Sequence, residues 1–527
     1  MHIVSSARAS VAGALLCAAL AVALAFAQPD LRPVMPEVDG VHPVRALQAL
    51  RSAFAPGGGF LDKYPPLGSF AFGLAVAVGG APALAAQADA ITTAPPSERR
   101  VLLWARRDEV QAALARERWL SRLAAGGAAA LVFLLARRLA GAGRFSFTGP
   151  LLAAGAFAAC STLRVYAGSV NVDALALLPA LLALQLLLHA RWVAAGAALA
   201  LAVALKDPHV VLVPVVLAGA GILGGRRAAL RAGAAAAVLY AIASGALTGP
   251  ATWWEHLRVM AGGMGPVEGV DAGDPSGWGR LIAHVGWLLA EGRGGALLSV
   301  GGLLALLPLV RRARRPVLLT LAFALAPIVL FVLPVGYAYA RFLLVPQALL
   351  AVWLGAAAAC AAAGGTSTRA GLAAPGWVAV AALALLVRLF AHDVPRPQDD
   401  ARAAVVARLP SLAPAGGRVL LFADEREHGP PLDPARWELD ARGLNEVLPV
   451  LAALRERPVA ERPEVMLVMS FGTDPPSGAP PAAEPRPAPG ERVAGMYVVS
   501  EVLEGPSGWC PRAIAVAPRI TVLLRAE

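Results

Sequence analysis

Charged residues are scarce in this 527-residue chain: they occupy 15% of its positions, against about 25% in soluble domains. Apolar stretches of about 20 residues, the length that crosses a bilayer, consist almost wholly of Ala, Leu, Val and Gly. The mean hydropathy is accordingly +0.63. These features exclude a soluble enzyme, a coiled coil and a disordered scaffold, and they predict a polytopic membrane protein.

Cysteine and lysine are also rare. The four cysteines lie far apart without a CxxC or Cys/His spacing, which argues against a disulfide framework and a structural zinc site. The net charge is +11, yet only two of the 46 basic residues are lysines, Lys63 and Lys206. In a membrane protein this charge indicates arginine-rich loops at the cytoplasmic face, so we expect no nucleic-acid partner. A compact ammonium at two places is either functional or the chance result of an arginine-biased genome.

The apolar segments predict an all-α membrane domain over residues 1–393 with about eleven transmembrane helices. They fall at about 9–27, 119–136, 146–162, 172–189, 192–205, 208–224, 228–247, 294–310, 317–334, 342–363 and 374–391. Residues 25–27 resemble a signal-peptidase site, but the many later spans favour an uncleaved first helix.

Arginine clusters fix the predicted orientation. They are Arg137-Arg138-Arg144, Arg191, Arg226-Arg227-Arg231 and Arg311-Arg312-Arg314-Arg315. All of them share the cytoplasmic side if residues 68–88 do not span the bilayer, and they switch sides if that segment does span. The first arrangement places the tail outside. It also places the charged stretch 97–118 outside, where we expect an amphipathic helix along the interface.

Residues 394–527 have ordinary charge and predict a small soluble α/β domain on the extracytoplasmic side. Candidate strands lie at 418–423, 464–469, 496–502 and 519–525, with a helix near 442–456. No catalytic constellation is visible in this domain.

Four features share the extracytoplasmic side in this topology, and they predict one active cavity. They are the first loop (28–118), the turn at Asp173, the helix end at Lys206 and the loop 248–293. The tryptophans of that last loop suit an interfacial belt or a sugar-stacking platform, and its His256 is assigned no role.

The run Asp62-Lys63-Tyr64-Pro65-Pro66-Leu67 is the most specific feature of the first loop. Two prolines fix a rigid, extended approach to an apolar segment, which holds Lys63 and Tyr64 at the headgroup level, where a lipid phosphate lies. Upstream, Glu37 and Asp39 are either a solvated turn or part of the site.

Motifs in a fixed order over roughly residues 9–346 resemble the GT-C membrane glycosyltransferases, and most of all family 39 and its relatives, the protein O-mannosyltransferases and lipid A aminoarabinose transferases. The motifs are the acidic loop and PPL turn, Arg122-Leu123, Ala136-Arg137-Arg138-Leu139-Ala140-Gly141, Ser169-Val170-Asn171-Val172-Asp173, Leu205-Lys206-Asp207-Pro208 and Tyr337-Ala338-Tyr339-Ala340-Arg341-Phe342.

The resemblance implies a polyprenyl-phosphate sugar donor, a protein, lipid or glycan acceptor hydroxyl on the extracytoplasmic face, and an essential first-loop aspartate. The family usually has an adjacent Asp-Glu pair, whereas here Val38 separates Glu37 from Asp39. We predict Asp39 as the general base, with Glu37 as the alternative. No metal site is evident from spacing, although some GT-C relatives use a divalent ion between acidic loops.

Cations that hold the leaving phosphate complete the predicted chemistry. Lys63 and Arg341 are the candidates, with Tyr339 as a hydrogen-bond donor, and Arg341 could instead be an interfacial anchor. Asp173 either caps its helix or, as the resemblance implies, orients the acceptor or neighbouring cations, and Lys206 is either a snorkelling cation or a site residue.

Two rival functions stay open. One is a transporter or flippase of lipid-linked sugars, and the other is an inactive family member, which the split acidic pair allows. The usage of alanine and arginine suggests a GC-rich bacterial source and hence the inner membrane.

Overall fold

The computed structural model describes residues 11–19, 21–22, 41–52, 54, 65–141, 147–168, 170–262, 275–290, 292–336, 338–364, 401–413, 416–423, 430, 432–443, 446–470, 489–493, 496–503 and 519–526. The chain divides into two compact units. The first, the membrane unit, contains Met1–Gln28, Ala46–Ala75 and Arg116–Val394, and the second contains Pro29–Arg45, Val76–Ala115 and Pro395–Glu527. The second unit begins its last segment close to the predicted boundary at residue 394, but it also includes much of the predicted first loop.

The described chain is mostly helical, as predicted. Its α-helices run over Val41–Ser52, Pro66–Val78, Pro82–Ala86, Ala88–Thr93, Pro96–Trp104, Arg107–Ala140, Thr148–Ala159, Ser161–Gly168, Val172–Leu188, Trp192–Leu205, Val213–Ala243, Pro250–Gly262, Pro275–Leu289, Gly292–Arg312, Arg314–Pro327, Leu333–Val335, Leu344–Gly364, Ala401–Leu412 and Val447–Arg455. Short 3₁₀ helices cover Asp207–Leu212, Ala340–Leu343 and Val459–Glu461, and a π-helix covers Ile328–Val332.

Within the described residues, five helical runs are long and apolar enough to cross a membrane, or six if the bent pair Thr148–Ala159 and Ser161–Gly168 is one span. The predicted number of about eleven is therefore not confirmed. Of the predicted spans, 374–391 and much of 9–27 lie outside the described residues. Val172–Leu188 and Trp192–Leu205 are apolar but shorter than the five.

One of the five runs, Asp207–Ala243, is a helical hairpin. Gly225 has φ 78° and ψ 179°, which no helix contains. A Cβ added to Gly233 would lie 3.4 Å from the Leu217 side chain, although these residues would be about 24 Å apart in a straight helix. The run therefore forms two antiparallel helices, as the predicted spans 208–224 and 228–247 require, with Arg226 and Arg227 directly after the turn.

The arginine clusters of the described chain meet at one end of the membrane unit. Arg138 Nη2 donates to the carbonyl oxygen of Leu188 at 3.3 Å, and Gly219 packs against both Leu187 and Leu319. These contacts bring together four connections, which carry Arg137-Arg138, Arg191, Arg226-Arg227 and Arg311-Arg312-Arg314-Arg315. We call this the arginine end.

The first loop differs from the prediction. The expected interfacial helix over 97–118 is divided, because Pro96–Trp104 ends before Arg107–Ala140 begins. The charged residues from 107 onward form the first turns of the long helix, since neither Gly nor Pro interrupts them before Gly126. Pro66–Val78 has 13 residues, a length of about 20 Å that falls short of the hydrocarbon core. This length favours the arrangement in which 68–88 does not span.

The C-terminal domain contains a six-stranded mixed sheet in the order β2-β1-β3-β6-β5-β4. The strands are β1 Arg418–Ala423, β2 Glu438–Gly443, β3 Val465–Ser470, β4 Arg492–Val493, β5 Tyr497–Leu503 and β6 Arg519–Arg525. β1 pairs in parallel with β2 and β3, and the other pairings are antiparallel. This confirms the predicted α/β build and its four strands. The predicted helix near 442–456 begins only at Val447, because residues 438–443 form the unpredicted strand β2.

Residues of β1 alternate between the two faces of this sheet. Val419 and Leu421 belong to a core with the helix Ala401–Leu412, whereas Leu420 and Phe422 pack with the helix Val447–Arg455. Both faces are thus covered by a helix, as in other layered α/β domains.

Candidate active site

A cavity of about 410 Å³ lies in the membrane unit, at the end opposite the arginine end. This position follows from the hairpin that Val172–Leu188 and Trp192–Leu205 form. The connection between these two helices lies at the arginine end. Asp173, at the start of the first helix, and Lys206, at the end of the second, therefore lie at the opposite end of the membrane unit. The lining residues are Asp173, Leu177, Lys206, Pro208, His209, Leu212, Pro327, Phe331, Arg341, Phe342, Leu344 and Val345. A mainly apolar wall with a few polar groups is typical of a small-molecule site.

Asp173 and Lys206 form a buried ion pair in this cavity. Asp173 Oδ1 contacts Lys206 Nζ, and each side chain is 2% exposed. Asp173 lies in the first turn of its helix, where the side chain of Asn171 accepts a 3.0 Å hydrogen bond from the Asp173 backbone N–H. Lys206 caps the end of Trp192–Leu205. The ammonium also lies 5.2 Å from the ring centroid of Phe342, so Lys206 is buried against the cavity and does not reach the solvent as a snorkelling cation would.

Arg341 is the second cation of the cavity. Its guanidinium lies 4.8 Å from the ring centroid of Tyr339 and 5.6 Å from that of Phe342. Its buried Nε has no hydrogen-bond partner among the described residues. The aromatic rings orient the guanidinium by cation–π contacts without neutralising its charge. Arg341 is therefore equipped to bind an anion.

His284 anchors the short segment that carries Tyr339 and Arg341. Its ring hydrogen-bonds the backbone of Ala338, and burial lowers the pKa of His284, an effect that this hydrogen bond opposes. In its neutral form the ring keeps one N–H, which can donate to the carbonyl oxygen of Ala338.

His256 anchors a second segment of the cavity wall. Its Nε2 lies 3.2 Å from Asp207 Oδ2, and the two side chains are only 11% and 13% exposed. Asp207 begins the 3₁₀ helix Asp207–Leu212, which lines the cavity with Pro208, His209 and Leu212. The pair thus ties the helix Pro250–Gly262 to the cavity wall.

The PPL turn approaches the same place. A Cβ added to Gly68 would lie 2.6 Å from Val172 Cγ1 and 3.7 Å from the carbonyl oxygen of Leu205. Gly68 therefore packs against the residues that precede Asp173 and Lys206. Pro65 is buried at the start of this helix.

The structure brings together four of the eight predicted site residues: Asp173, Lys206 and Arg341 line the cavity, and Tyr339 contacts Arg341. The other four, Glu37, Asp39, Lys63 and Tyr64, lie outside the described residues and stay predictions. Sequence reasoning missed the aromatic residues Phe331 and Phe342 and the pair His256–Asp207. Phe342 directly follows Arg341 at the end of the motif that begins at Tyr337. No feature of the sequence indicated that His256 contacts Asp207.

The described residues do not form a metal site. No group of three His, Cys, Asp or Glu side chains exists among them. Asp173 is the single carboxylate of the described cavity lining, and Lys206 already neutralises it. A divalent cation requires several oxygen ligands, which these residues do not supply.

Part of the chain matches a known protein family. Residues 112–335 match the model of glycosyltransferase family 87. The region that matches family 87 contains Asp173, Lys206 and His256. The match agrees with the predicted glycosyltransferase class, although the motifs most resembled family 39. No curated protein matches the sequence.

Three solved structures illustrate the similarity in structure. The apo oligosaccharyltransferase of Archaeoglobus fulgidus is 14% identical, with 72% of this chain and 55% of that chain covered and a TM-score of 0.45. ArnT from Cupriavidus metallidurans, bound to undecaprenyl phosphate, is 12% identical, with coverages of 96% and 97% and a TM-score of 0.47. The arabinofuranosyltransferase AftD from Mycobacteria is 16% identical, with coverages of 86% and 35% and a TM-score of 0.46. The chain spans about half the length of the oligosaccharyltransferase.

Proposed function

We propose that this chain is a membrane glycosyltransferase that moves a sugar from a polyprenyl-phosphate carrier to the hydroxyl of a protein, lipid or glycan acceptor. The observation that carries the proposal is Arg341, whose unpartnered Nε lies in a cavity with an apolar wall. A cation beside such a wall suits a phosphate attached to a hydrocarbon chain. The location opposite the arginine end favours the extracytoplasmic face, and we place the C-terminal domain on the same face, outside the bacterial inner membrane.

The chemistry assigns separate tasks to the residues. Arg341 binds the phosphate and stabilises the negative charge that grows on it as the bond to the anomeric carbon breaks. Phe331 and the aliphatic lining residues contact the first units of the prenyl chain. Asp39, or alternatively Glu37, accepts the proton of the attacking hydroxyl. Lys63, Tyr64 and Tyr339 are further partners of the phosphate, and Lys63 and Tyr64 directly precede Pro65 in the sequence.

The test measures release of free polyprenyl phosphate from a panel of polyprenyl-phosphate sugars by the purified protein in proteoliposomes. We expect Arg341→Gln to lower kcat/KM by about 100-fold, the loss typical of removing one donor to a developing charge. Arg315→Gln at the arginine end is the matched control and should leave release unchanged. Asp39→Asn should abolish release.

The rival functions give different results in the same vesicles. A flippase would move labelled carrier-linked sugar across the bilayer without releasing polyprenyl phosphate, and Asp39→Asn would leave this movement intact. An inactive family member would bind the donor and release nothing. Either result would overturn the proposed function.

A further inference from the structure

One carboxylate oxygen of Asp173 accepts no hydrogen bond from the described residues. Its Oδ1 contacts Lys206, but its buried Oδ2 has no hydrogen-bond partner among the described residues. The side chain is 2% exposed and lines the cavity. A buried carboxylate oxygen without a donor is costly, so natural sites rarely keep one unless a ligand supplies the hydrogen bond.

Lys206 makes this oxygen a strong and fixed acceptor. The ammonium contacts Oδ1, which restricts the rotation of Oδ2. Hydrogen bonds to an ionised acceptor are shorter and stronger than those to neutral groups. Among the described lining residues no other side chain is a carboxylate. Asp173 is therefore the group to which a hydroxyl in the cavity would donate a hydrogen bond.

Arg341 limits which hydroxyl this is. Arg341 and Asp173 line the same cavity, so one bound molecule could contact both side chains. In the proposed donor, the sugar is bonded directly to the phosphate that Arg341 binds. With the phosphate at Arg341, the ring hydroxyls of that sugar are the donors nearest to Asp173.

We propose that Asp173 Oδ2 accepts a hydrogen bond from one ring hydroxyl of the carrier-linked sugar, so that the protein selects donors by that hydroxyl. This inference rests on the proposed function. It makes Asp173 a determinant of donor specificity, whereas the sequence suggested only a helix cap or a residue that orients the acceptor or nearby cations.

The test uses polyprenyl-phosphate sugars in which one ring hydroxyl at a time is replaced by hydrogen, with the wild type and Asp173→Asn. In Asp173→Asn the amide oxygen faces the Lys206 ammonium, which places an NH₂ donor where Oδ2 was. We expect the wild type to lose about 10- to 100-fold in kcat/KM for one deoxy donor, the loss expected for a hydrogen bond to a charged group. Because the sugar hydroxyl can also accept a hydrogen bond from this NH₂, Asp173→Asn should keep a weaker preference, several-fold below that of the wild type, as expected for a hydrogen bond between neutral groups.

Glu255→Gln, at a side chain that is 52% exposed, is the control and should keep the preference of the wild type. If Asp173→Asn does not turn over, binding of the same donor series to Asp173→Asn and to Asp173→Asn/Lys206→Met is measured in detergent. A preference for the same hydroxyl that is as strong in these variants as in the wild type would overturn the inference alone. A wild type that releases polyprenyl phosphate from no donor would overturn the proposed function as well.

Discussion

At the scale of single residues, we expect changes in the Asp173–Lys206 pair to lower both the stability and the activity of the protein. Lys206→Met removes the ammonium and leaves a carboxylate buried without a counter-ion. We expect a loss of about 3–5 kcal/mol in the free energy of unfolding, measured by denaturation in detergent micelles. Lys206→Met/Asp173→Leu should recover most of this loss while remaining inactive, since packed apolar groups can replace a buried pair.

The exposed pair Arg258–Glu255, at 3.7 Å, provides the contrast. Arg258→Met should change the free energy of unfolding by less than about 1 kcal/mol, because solvent screens this pair. Equal stabilities for Lys206→Met and the double variant would contradict the argument for Asp173–Lys206.

The same ion pair predicts the response to chelators. Because Lys206 already balances the charge of Asp173, we expect EDTA to leave the release of polyprenyl phosphate unchanged. Activity is measured before and after EDTA, and then after addition of Mg²⁺ or Mn²⁺. Loss with EDTA and return with one of these ions would show that a metal site includes residues beyond the described lining.

The sequence identified Asp173 and Lys206 separately and predicted that they lie on one side of the membrane. This was possible because two consecutive apolar helices of similar length return the chain to the same face. The sequence could not predict that the side chains touch, since this depends on how the two helices rotate against each other. His256 was missed for a related reason: its partner Asp207 precedes it by 49 residues and belongs to another helix.

At the scale of elements, the helix Pro250–Gly262 positions the cavity wall through His256. We expect His256→Ala to free the segment Asp207–Leu212 and to raise the KM for the donor by about 10-fold, with a smaller change in kcat. His256→Gln keeps an N–H donor for Asp207 and should restore most of the affinity. Steady-state kinetics of polyprenyl phosphate release measures both constants.

Glu255→Ala changes the preceding, exposed side chain of the same helix and should keep the KM of the wild type. If His256→Gln is as impaired as His256→Ala, the hydrogen bond to Asp207 is not what positions the wall.

The turn of the helical hairpin is a second element, and its backbone conformation depends on one residue, Gly225. A φ of 78° with ψ of 179° is a conformation that only glycine adopts readily. We expect Gly225→Ala to lower the free energy of unfolding by about 1–3 kcal/mol. Gly221→Ala is the matched control, because its Cβ would meet Ala229 at an ordinary 3.9 Å. Equal losses would mean that packing, rather than backbone conformation, sets the cost.

Strand β2 shows the limit of element prediction. Its sequence, Glu-Leu-Asp-Ala-Arg-Gly, alternates polar with small or apolar residues, and it lies at an edge of the sheet. Such residues have low strand propensity, and pairing with β1 overrides that propensity. The central strands β1 and β3 were predicted because burial on both faces requires continuous apolar runs.

At the scale of the whole molecule, the arginine end and the cavity should face opposite sides of the membrane. We expect Glu255→Cys, on the helix that contacts the cavity wall, to react with a membrane-impermeant maleimide in intact cells. Arg226→Cys, at the hairpin turn, should react only after permeabilisation. Both variants are made in a background without native cysteines, and labelling of both from the same side would contradict the topology.

The directions of the helices around the ion pair have a further consequence. Asp173 stands at the amino end of its helix and Lys206 at the carboxyl end of the next. Asp173 faces the positive end of its own helix dipole, and Lys206 faces the negative end of Trp192–Leu205 while it also precedes the 3₁₀ helix Asp207–Leu212. An exchange of the two charges would retain the pair but oppose both dipoles. The observed order of acid and base is therefore the one that the dipoles of Val172–Leu188 and Trp192–Leu205 favour.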